Sequence, residues 1–110
     1  MKKIAYVEDS SELIQILSFL LKGRAEVFSI QSKEDLDNLN ERVDLFICDG
    51  DIPGWEDHFR DVTKKAKNIP VIVYSGSVRE GLLKKGMNPK WPYFYKWSQS
   101  MQEVLKSIVI

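Results

Sequence analysis

The segment VDLFICDGDIPG, at positions 43–54, decides the fold class of this chain. The apolar run 45–48 ends abruptly in Asp49, and a turn signal, Ile-Pro-Gly, follows at 52–54. Strands that are buried on both faces have continuous apolar runs of this kind. Open α/β sheets hold their ligands beyond the carboxyl ends of such strands. The segment therefore predicts a buried strand with a carboxylate at its ligand-binding end.

The composition is that of one globular domain. The chain has 110 residues, of which 44% are hydrophobic and 29% are charged, and we expect a single domain over 1–110 without an output domain. Lys+Arg and Asp+Glu are both 16, so the net charge is zero. This balance argues against direct binding to nucleic acid and against docking on an anionic membrane.

Cysteine content and apolar patterning favour a cytoplasmic protein. The chain has one cysteine, so an internal disulfide is excluded and a reducing compartment is favoured. The apolar part of the N-terminus is too short for a signal peptide. No apolar stretch approaches the ~20 residues of a membrane helix.

Strand and helix patterns alternate five times along the chain. The predicted strands are 4–7, 25–30, 45–48, 71–74 and 93–95. Each is followed by a helical spacing of apolar residues, with Ser10 or Ser11 capping the first helix and Ser98 the last. The fourth helix, over 78–85, is short. This alternation predicts a five-stranded parallel sheet that is doubly wound, with helices on both faces.

Polar residues at the strand ends converge on one edge of this sheet. They are Glu8 and Asp9 after the first strand, Asp49 and Asp51 after the third, Ser75 after the fourth and Lys96 after the fifth. Clustered carboxylates repel one another, and a divalent cation removes the conflict. Because the ligands are oxygens only, Mg²⁺ suits the site better than Zn²⁺.

The remaining groups at this edge suit a phosphoryl group. Lys96 offers a positive charge and Ser75 a hydroxyl, and the backbone N–H groups of Gly50 and Gly76 can approach closely. Together they form an electrostatic cradle for phosphoryl oxygens. Asp49 lies at the end of the central strand, where its carboxylate can attack phosphorus and form an acyl phosphate. The alternative is that Asp49 only ligates metal.

In these pieces the chain resembles the response-regulator receiver domains of two-component signalling. The matching segments are Glu8-Asp9, the run that ends in Asp49 with Ile-Pro-Gly after it, Val-Ile-Val-Tyr-Ser75-Gly76, and Tyr93-Phe-Tyr-Lys96. They stand in the family's order and cover essentially the whole chain. The resemblance implies a flavodoxin-like (βα)5 fold with strand order 2-1-3-4-5.

The resemblance also implies a role for each site residue. Asp49 would accept a phosphoryl group from the phosphohistidine of a histidine kinase or histidine phosphotransfer protein, so the chain is a phosphoacceptor and not an enzyme. Glu8 would act through a metal-bound water, and Asp9, Asp49 and the backbone carbonyl of Asp51 would ligate Mg²⁺ directly. Lys96 would pair with the phosphoryl group and with Asp49.

A switch is implied as well. Ser75 would move to the phosphoryl oxygen and Tyr93 would turn inward. The surface of the fourth helix, fifth strand and fifth helix would then change for a downstream partner, which the sequence leaves unnamed.

Three features depart from the family. Trp97 replaces the usual proline after the lysine, so we expect the Lys96–Trp97 peptide bond to be trans. The segment 86–92 replaces the usual Gly-Ala before the fifth strand, and the output face is therefore altered. Asp51 adds negative charge two residues beyond Asp49, and we expect it to affect the rate of phosphotransfer or hydrolysis.

Two other functions are open. A degenerate receiver would keep the fold and bind partners independently of phosphate. The segment from Asp49 to Pro53 also resembles the Asp-x-Asp-x-Thr/Val motif of haloacid-dehalogenase-like phosphatases. Against that enzyme stand Pro53 in place of Thr or Val, an acid pair that precedes the motif, and the short chain.

Other chemistry-bearing residues favour structural roles. The aromatic residues Trp91, Tyr93, Phe94, Tyr95 and Trp97 are expected to pack in the core and at the strand edge; the alternative is an exposed patch for a homodimer or a docked partner. His58 is predicted to be a solvated residue in a loop or at a helix start, and no second ligand supports zinc. Cys48 is predicted to be an inert buried thiol.

Overall fold

The computed structural model describes residues 1–108, in which five strands alternate with five helices. The strands are β1 (Lys2–Val7), β2 (Ala25–Ile30), β3 (Leu45–Cys48), β4 (Val71–Ser75) and β5 (Tyr93–Tyr95). The helices are α1 (Ser11–Leu20), α2 (Lys33–Asp37), α3 (His58–Ala66), α4 (Arg79–Lys84) and α5 (Met101–Lys106).

All neighbouring strands of the sheet are parallel. Their order is β2-β1-β3-β4-β5, which confirms the predicted flavodoxin-like arrangement. β3 occupies the centre, with β1 and β4 as its neighbours. Because all strands run the same way, their carboxyl ends meet at one edge of the sheet, and the residue after each strand lies on that edge.

The two faces of the sheet carry separate hydrophobic cores. One core joins β-strand side chains such as Phe46 and Val73 to α2, α3 and α4, through Leu36, Phe59 and Leu82. The other core is on the opposite face, where Tyr6, Ile47 and Tyr74 pack against Leu17 of α1 and Val104 of α5. The alternation of side chains along each strand supplies both cores, as a doubly wound sheet requires.

Serine side chains cap the N-termini of three of the helices. Ser10 caps α1 by accepting from the backbone N–H of Leu13, and Ser32 caps α2 by accepting from Asp35. The prediction that Ser98 caps the last helix is wrong. Ser98 and Gln99 donate backbone N–H groups to the Tyr95 carbonyl, 3.1 and 2.9 Å away, and this turn delays the start of α5.

The cap of α5 is Ser100, two residues later. Its hydroxyl accepts from the N–H of Glu103, and the Glu103 carboxylate accepts from the N–H of Ser100. This reciprocal pair is a capping box, which satisfies two backbone donors that the first turn of a helix leaves without partners.

The fourth helix is short, as predicted. α4 has six residues and stops at Lys84, before Gly86 with a φ of 101° that favours glycine. The N–H of Met87 then closes back on the Leu82 carbonyl at 3.0 Å. The Lys96–Trp97 bond is trans, as expected. Over residues 1–108, every helix is too short or too polar to cross a membrane.

Replacing Ser100 with alanine is expected to lower the free energy of unfolding by about 1 kcal/mol, because it removes the acceptor for a first-turn N–H. Urea unfolding followed by circular dichroism measures this change. The matched control is Ser98→Ala, which should stay within about 0.5 kcal/mol of the unaltered protein. A larger loss for Ser98→Ala than for Ser100→Ala would contradict the assigned cap.

Candidate functional site

Three carboxylates meet at the carboxyl edge of the two central strands. Val7 and Cys48 are register partners in β1 and β3, so Glu8 and Asp49, the residues that follow them, are neighbours. Asp9 joins them from the exposed side, and one carboxylate oxygen from each of the three lies within 4.8 Å of the others. The strand pairing thus brings together Glu8, Asp9 and Asp49, three of the four acidic residues that the sequence predicted for this edge.

Glu8 is the most deeply buried member of the group, with only 1% of its surface exposed. Its Oε2 accepts from the backbone N–H groups of Asp9 and Ser10 at 3.0 and 3.2 Å, and the Tyr6 hydroxyl donates to its Oε1 at 3.4 Å. Burial raises the pKa of Glu8 above its ordinary value, although the hydrogen bond from Lys96 acts in the opposite direction.

The Lys96 side chain reaches the acidic cluster from the edge of the sheet. It follows β5, the edge strand, yet its Nζ lies 2.6 Å from Glu8 Oε1 and 3.3 Å from Asp49 Oδ1. Its backbone N–H donates to the Ser75 carbonyl at 2.8 Å, which anchors the start of the side chain. Burial lowers the pKa of Lys96, but the hydrogen bond that Lys96 donates to Glu8 and the charge of Asp49 outweigh this effect and raise the pKa.

Asp49 is held at its backbone and remains reachable at its side chain. Its N–H donates to the Val7 carbonyl at 2.8 Å, and its Oδ1 accepts from the N–H of Gly50 at 2.7 Å. The residue keeps 7% of its surface exposed, against 1% for Glu8. Of the two buried carboxylates, Asp49 is therefore the more accessible from solvent.

The acidic cluster fits a divalent cation of the Mg²⁺ type. The three carboxylates supply oxygen donors only, which such hard cations prefer, and Asp9 is exposed, so that bound water could complete the coordination. Within residues 1–108, the carboxylates of Glu8 and Asp49 share one ion-pair partner, Lys96. Glu8, Asp9 and Asp49 are thus the residues that would hold the ion.

Ser75 and Gly50 pack against each other beside Asp49. Ser75 is buried, and its hydroxyl accepts from the N–H of Ser77 at 3.0 Å. A Cβ at Gly50 would overlap the Ser75 hydroxyl and would lie 2.6 Å from Leu82 Cδ2. The absence of a side chain at position 50 therefore permits Ser75 and Leu82 to pack against this backbone. That the Gly50 N–H approaches a phosphoryl group stays a prediction.

The Asp51 side chain turns away from the acidic cluster. Its carboxylate accepts from the Ser77 hydroxyl and from Lys85 Nζ, and Lys85 is the main cause of a lowered Asp51 pKa. Asp51 thereby ties the loop after β3 to the loop after β4. The sequence placed Asp51 near the site but gave no sign of its two partners.

The predicted aromatic cluster divides into packed and exposed members. Trp91 and Tyr93 pack against the core that contains Phe59, and Phe94 packs against the opposite core. Trp97 is 79% exposed, so for this residue the expectation of core packing is wrong.

Two of these aromatic residues hold the loop after β4. The Trp97 indole N–H donates to the Gly76 carbonyl at 3.1 Å, and the Tyr93 hydroxyl donates to the Ser77 carbonyl. Trp97 and Tyr93 thus hold the backbone of the loop that carries Ser75 and Gly76.

His58 is a second residue near the site whose environment the sequence predicted wrongly. It begins α3, as one alternative predicted, but the prediction of a solvated side chain is wrong, since only 2% of its surface is exposed. Its Nε2 lies 2.8 Å from the backbone carbonyl oxygen of Asp49. The spacing 58, 62, 66 places His58 on the buried face of α3 with Val62 and Ala66. This helical spacing is the sequence pattern from which its burial could have been predicted.

Cys48 is buried, as predicted. Burial raises the pKa of its thiol well above the ordinary value, with smaller contributions from the charges of Asp49 and Glu8. That it is inert stays a prediction.

No protein-family model and no curated protein matches the chain by sequence. Solved structures do match it along nearly its full length. The CheY-like receiver domain protein from Methanospirillum hungatei is similar with a TM-score of 0.77 at 20% identity, over 97% of this chain and 90% of that one. This chain has the receiver-domain fold.

Other solved structures share the receiver-domain fold with this chain. The non-phosphorylated HemR receiver domain from Leptospira biflexa has a TM-score of 0.72 at 22% identity, over 96% of this chain and 90% of that one. A DNA-binding response regulator of the LuxR family from Staphylococcus aureus has a TM-score of 0.75 at 23% identity, over 97% and 95%. At these identities the likeness extends to the fold, and the roles of individual residues stay predictions.

Replacing Gly50 with alanine is expected to lower the free energy of unfolding by about 1–3 kcal/mol, because the added methyl group overpacks the contact with Ser75 and Leu82. The matched control is Gly81→Ala in α4, where an added Cβ meets nothing within 4 Å. That change should raise stability by about 0.5–1 kcal/mol. Equal effects of both substitutions in urea unfolding would contradict the close packing at Gly50.

Proposed function

We propose that the chain is a response-regulator receiver that accepts a phosphoryl group on Asp49 from a phosphohistidine donor. The observation that carries the proposal is the meeting of Asp49 with Glu8, Asp9 and Lys96 at the carboxyl edge of a parallel sheet. The receiver-domain fold supports it, since the site lies beyond the carboxyl end of the central strand, where open α/β sheets hold their ligands.

In the proposed reaction, a carboxylate oxygen of Asp49 attacks phosphorus in line with the bond to the donor histidine. The new O–P bond makes an acyl phosphate, while the P–N bond breaks and its electron pair stays on the imidazole. Lys96, 3.3 Å from Asp49 Oδ1, is placed to follow the charge as it moves to the phosphoryl oxygens. Gly50 and Gly76 N–H groups and the Ser75 hydroxyl are the further donors proposed for these oxygens.

A bound Mg²⁺ would neutralise charge between the carboxylates and the phosphoryl oxygens. Glu8, Asp9 and Asp49, with the backbone carbonyl of Asp51, are the groups proposed to hold it. Before binding, Lys96 has to balance Glu8 and Asp49 together, and the raised Glu8 pKa reflects a carboxylate whose burial is incompletely compensated. A second cation would relieve this imbalance.

The proposed donor is a histidine kinase or a histidine phosphotransfer protein, and the proposed output is a change on the face formed by α4, β5 and α5. Ser75 and Tyr93 are the proposed switch residues. In this chain the Tyr93 hydroxyl and the Trp97 indole both bind the backbone of the loop after β4, at Ser77 and Gly76. Movement of Ser75 would therefore be transmitted to two aromatic side chains of the segment around β5.

Incubation with acetyl phosphate and Mg²⁺ is expected to add one phosphoryl group, detected by intact mass, and Asp49→Asn should abolish the addition because the amide is a poor nucleophile. The matched control is Asp37→Asn in α2, which should still accept one group, since this exposed carboxylate pairs with Lys33 outside the acidic cluster. Phosphorylation of Asp49→Asn, or none of the unaltered protein, would refute the proposal. Repeated turnover of a phosphomonoester would instead support the phosphatase alternative.

Replacing Asp9 with asparagine is expected to weaken Mg²⁺ binding by roughly tenfold or more, because one anionic ligand of the cluster is lost. A Mg²⁺ titration followed by the amide chemical shifts of Glu8 and Gly50 measures the affinity. Asp37→Asn in α2 removes an equal charge from an exposed position outside the cluster and should leave the affinity within about twofold. Equal weakening by both would indicate a general charge effect and no defined site.

A further inference from the structure

A buried imidazole lies directly behind the proposed phosphoacceptor. His58 Nε2 is 2.8 Å from the backbone carbonyl oxygen of Asp49. The ring is held on its sides by Phe59, with ring centroids 4.2 Å apart, and by Trp55, which lies edge-on at 6.0 Å. His58 is therefore fixed in one orientation against the backbone of Asp49.

The surroundings of His58 select one tautomer. Within residues 1–108, its buried Nδ1 has no hydrogen-bond partner. A proton on Nδ1 would leave a buried donor unsatisfied and would set the Nε2 lone pair against the carbonyl oxygen. The proton therefore lies on Nε2, which donates to Asp49. Burial lowers the pKa of His58 and so favours this neutral form.

This hydrogen bond fixes a complete peptide unit. The carbonyl of Asp49 and the N–H of Gly50 belong to the same planar trans peptide, so an oxygen held on one side sets the direction of the N–H on the other. That N–H donates to Asp49 Oδ1 at 2.7 Å. His58 is thus linked through one rigid unit to the orientation of the Asp49 carboxylate.

The Asp49 carbonyl has little other support. It lies one residue beyond the end of β3, and the second donor found near it is the Cys48 thiol at 3.3 Å, a weak one. Among the hydrogen bonds of residues 1–108, the one from the imidazole is therefore the strong bond to the Asp49 carbonyl oxygen.

We propose that His58 is a positioning residue for phosphotransfer: it holds the Asp49–Gly50 peptide so that the Gly50 N–H faces the acceptor carboxylate and the incoming phosphoryl oxygens. This inference rests on the proposed function of Asp49. His58 touches neither the carboxylate nor the donor and acts through the peptide alone.

Two substitutions of His58 test this role. His58→Leu fills the same space with an apolar side chain and removes the hydrogen-bond donor to Asp49. Because it also removes the unpartnered Nδ1, we expect the protein to stay folded. His58→Gln keeps an N–H donor at a similar reach from the backbone. Val62→Ala is the control, because it loosens the same buried face of α3 without a hydrogen bond to Asp49.

Two measurements on the full chain are compared among these variants. The first is the hydrogen-exchange rate of the Gly50 amide, measured by nuclear magnetic resonance. The second is the rate constant of phosphorylation by acetyl phosphate with Mg²⁺. For His58→Leu we expect exchange about tenfold faster and phosphorylation about tenfold slower, the effect of one lost hydrogen bond. His58→Gln should recover both to within about threefold, and Val62→Ala should leave both near those of the unaltered protein.

The outcomes separate the two hypotheses. If His58→Leu matches the unaltered protein in both measurements, or if Val62→Ala changes them as much, the positioning role is overturned. If the unaltered protein takes up no phosphoryl group, the proposed function fails. In that case Gly50 exchange still decides whether His58 holds the peptide: unchanged exchange in His58→Leu rejects it, and faster exchange with recovery in His58→Gln supports it.

Discussion

The site depends on one electrostatic constraint, the sharing of Lys96 between two buried carboxylates. Glu8 and Asp49 follow adjacent strands, so the parallel pairing of β1 and β3 forces two like charges together at the sheet edge. Such a pair is costly to bury unless a cation compensates it. Lys96 supplies the cation from the edge strand, and its reach across the sheet requires β4 and β5 to lie where they do.

The sequence predicted this arrangement well where the geometry of a parallel sheet determines it. Apolar runs located the five strands, and the residue after each run was bound to lie on one edge whatever the details of packing. Glu8, Asp49, Ser75 and Lys96 were therefore predictable as neighbours. The strand order came from the resemblance to receiver domains, because periodicity alone does not state which strands are adjacent.

The sequence was less informative where side chains choose among partners. His58 was judged by its polarity, yet its place on the apolar stripe of α3 outweighed that polarity and buried it. Ser98 was predicted to cap the last helix, but its backbone N–H donates to the Tyr95 carbonyl in a turn before that helix. The cap is Ser100. The bonds of Asp51 to Ser77 and Lys85 join residues far apart in the chain, and no local pattern encodes them.

The placement of Lys96 also affects local unfolding at the β5 edge of the sheet. β5 has three residues, all half-buried, and it pairs with β4 alone. This short strand is retained by the packing of Tyr93 and Phe94 against the two cores, and also by the lysine that follows it, whose ammonium is inserted among the carboxylates. Local unfolding of β5 and α5 then requires extraction of that charge, so the frequency of such openings is thermodynamically linked to whatever occupies the acidic site.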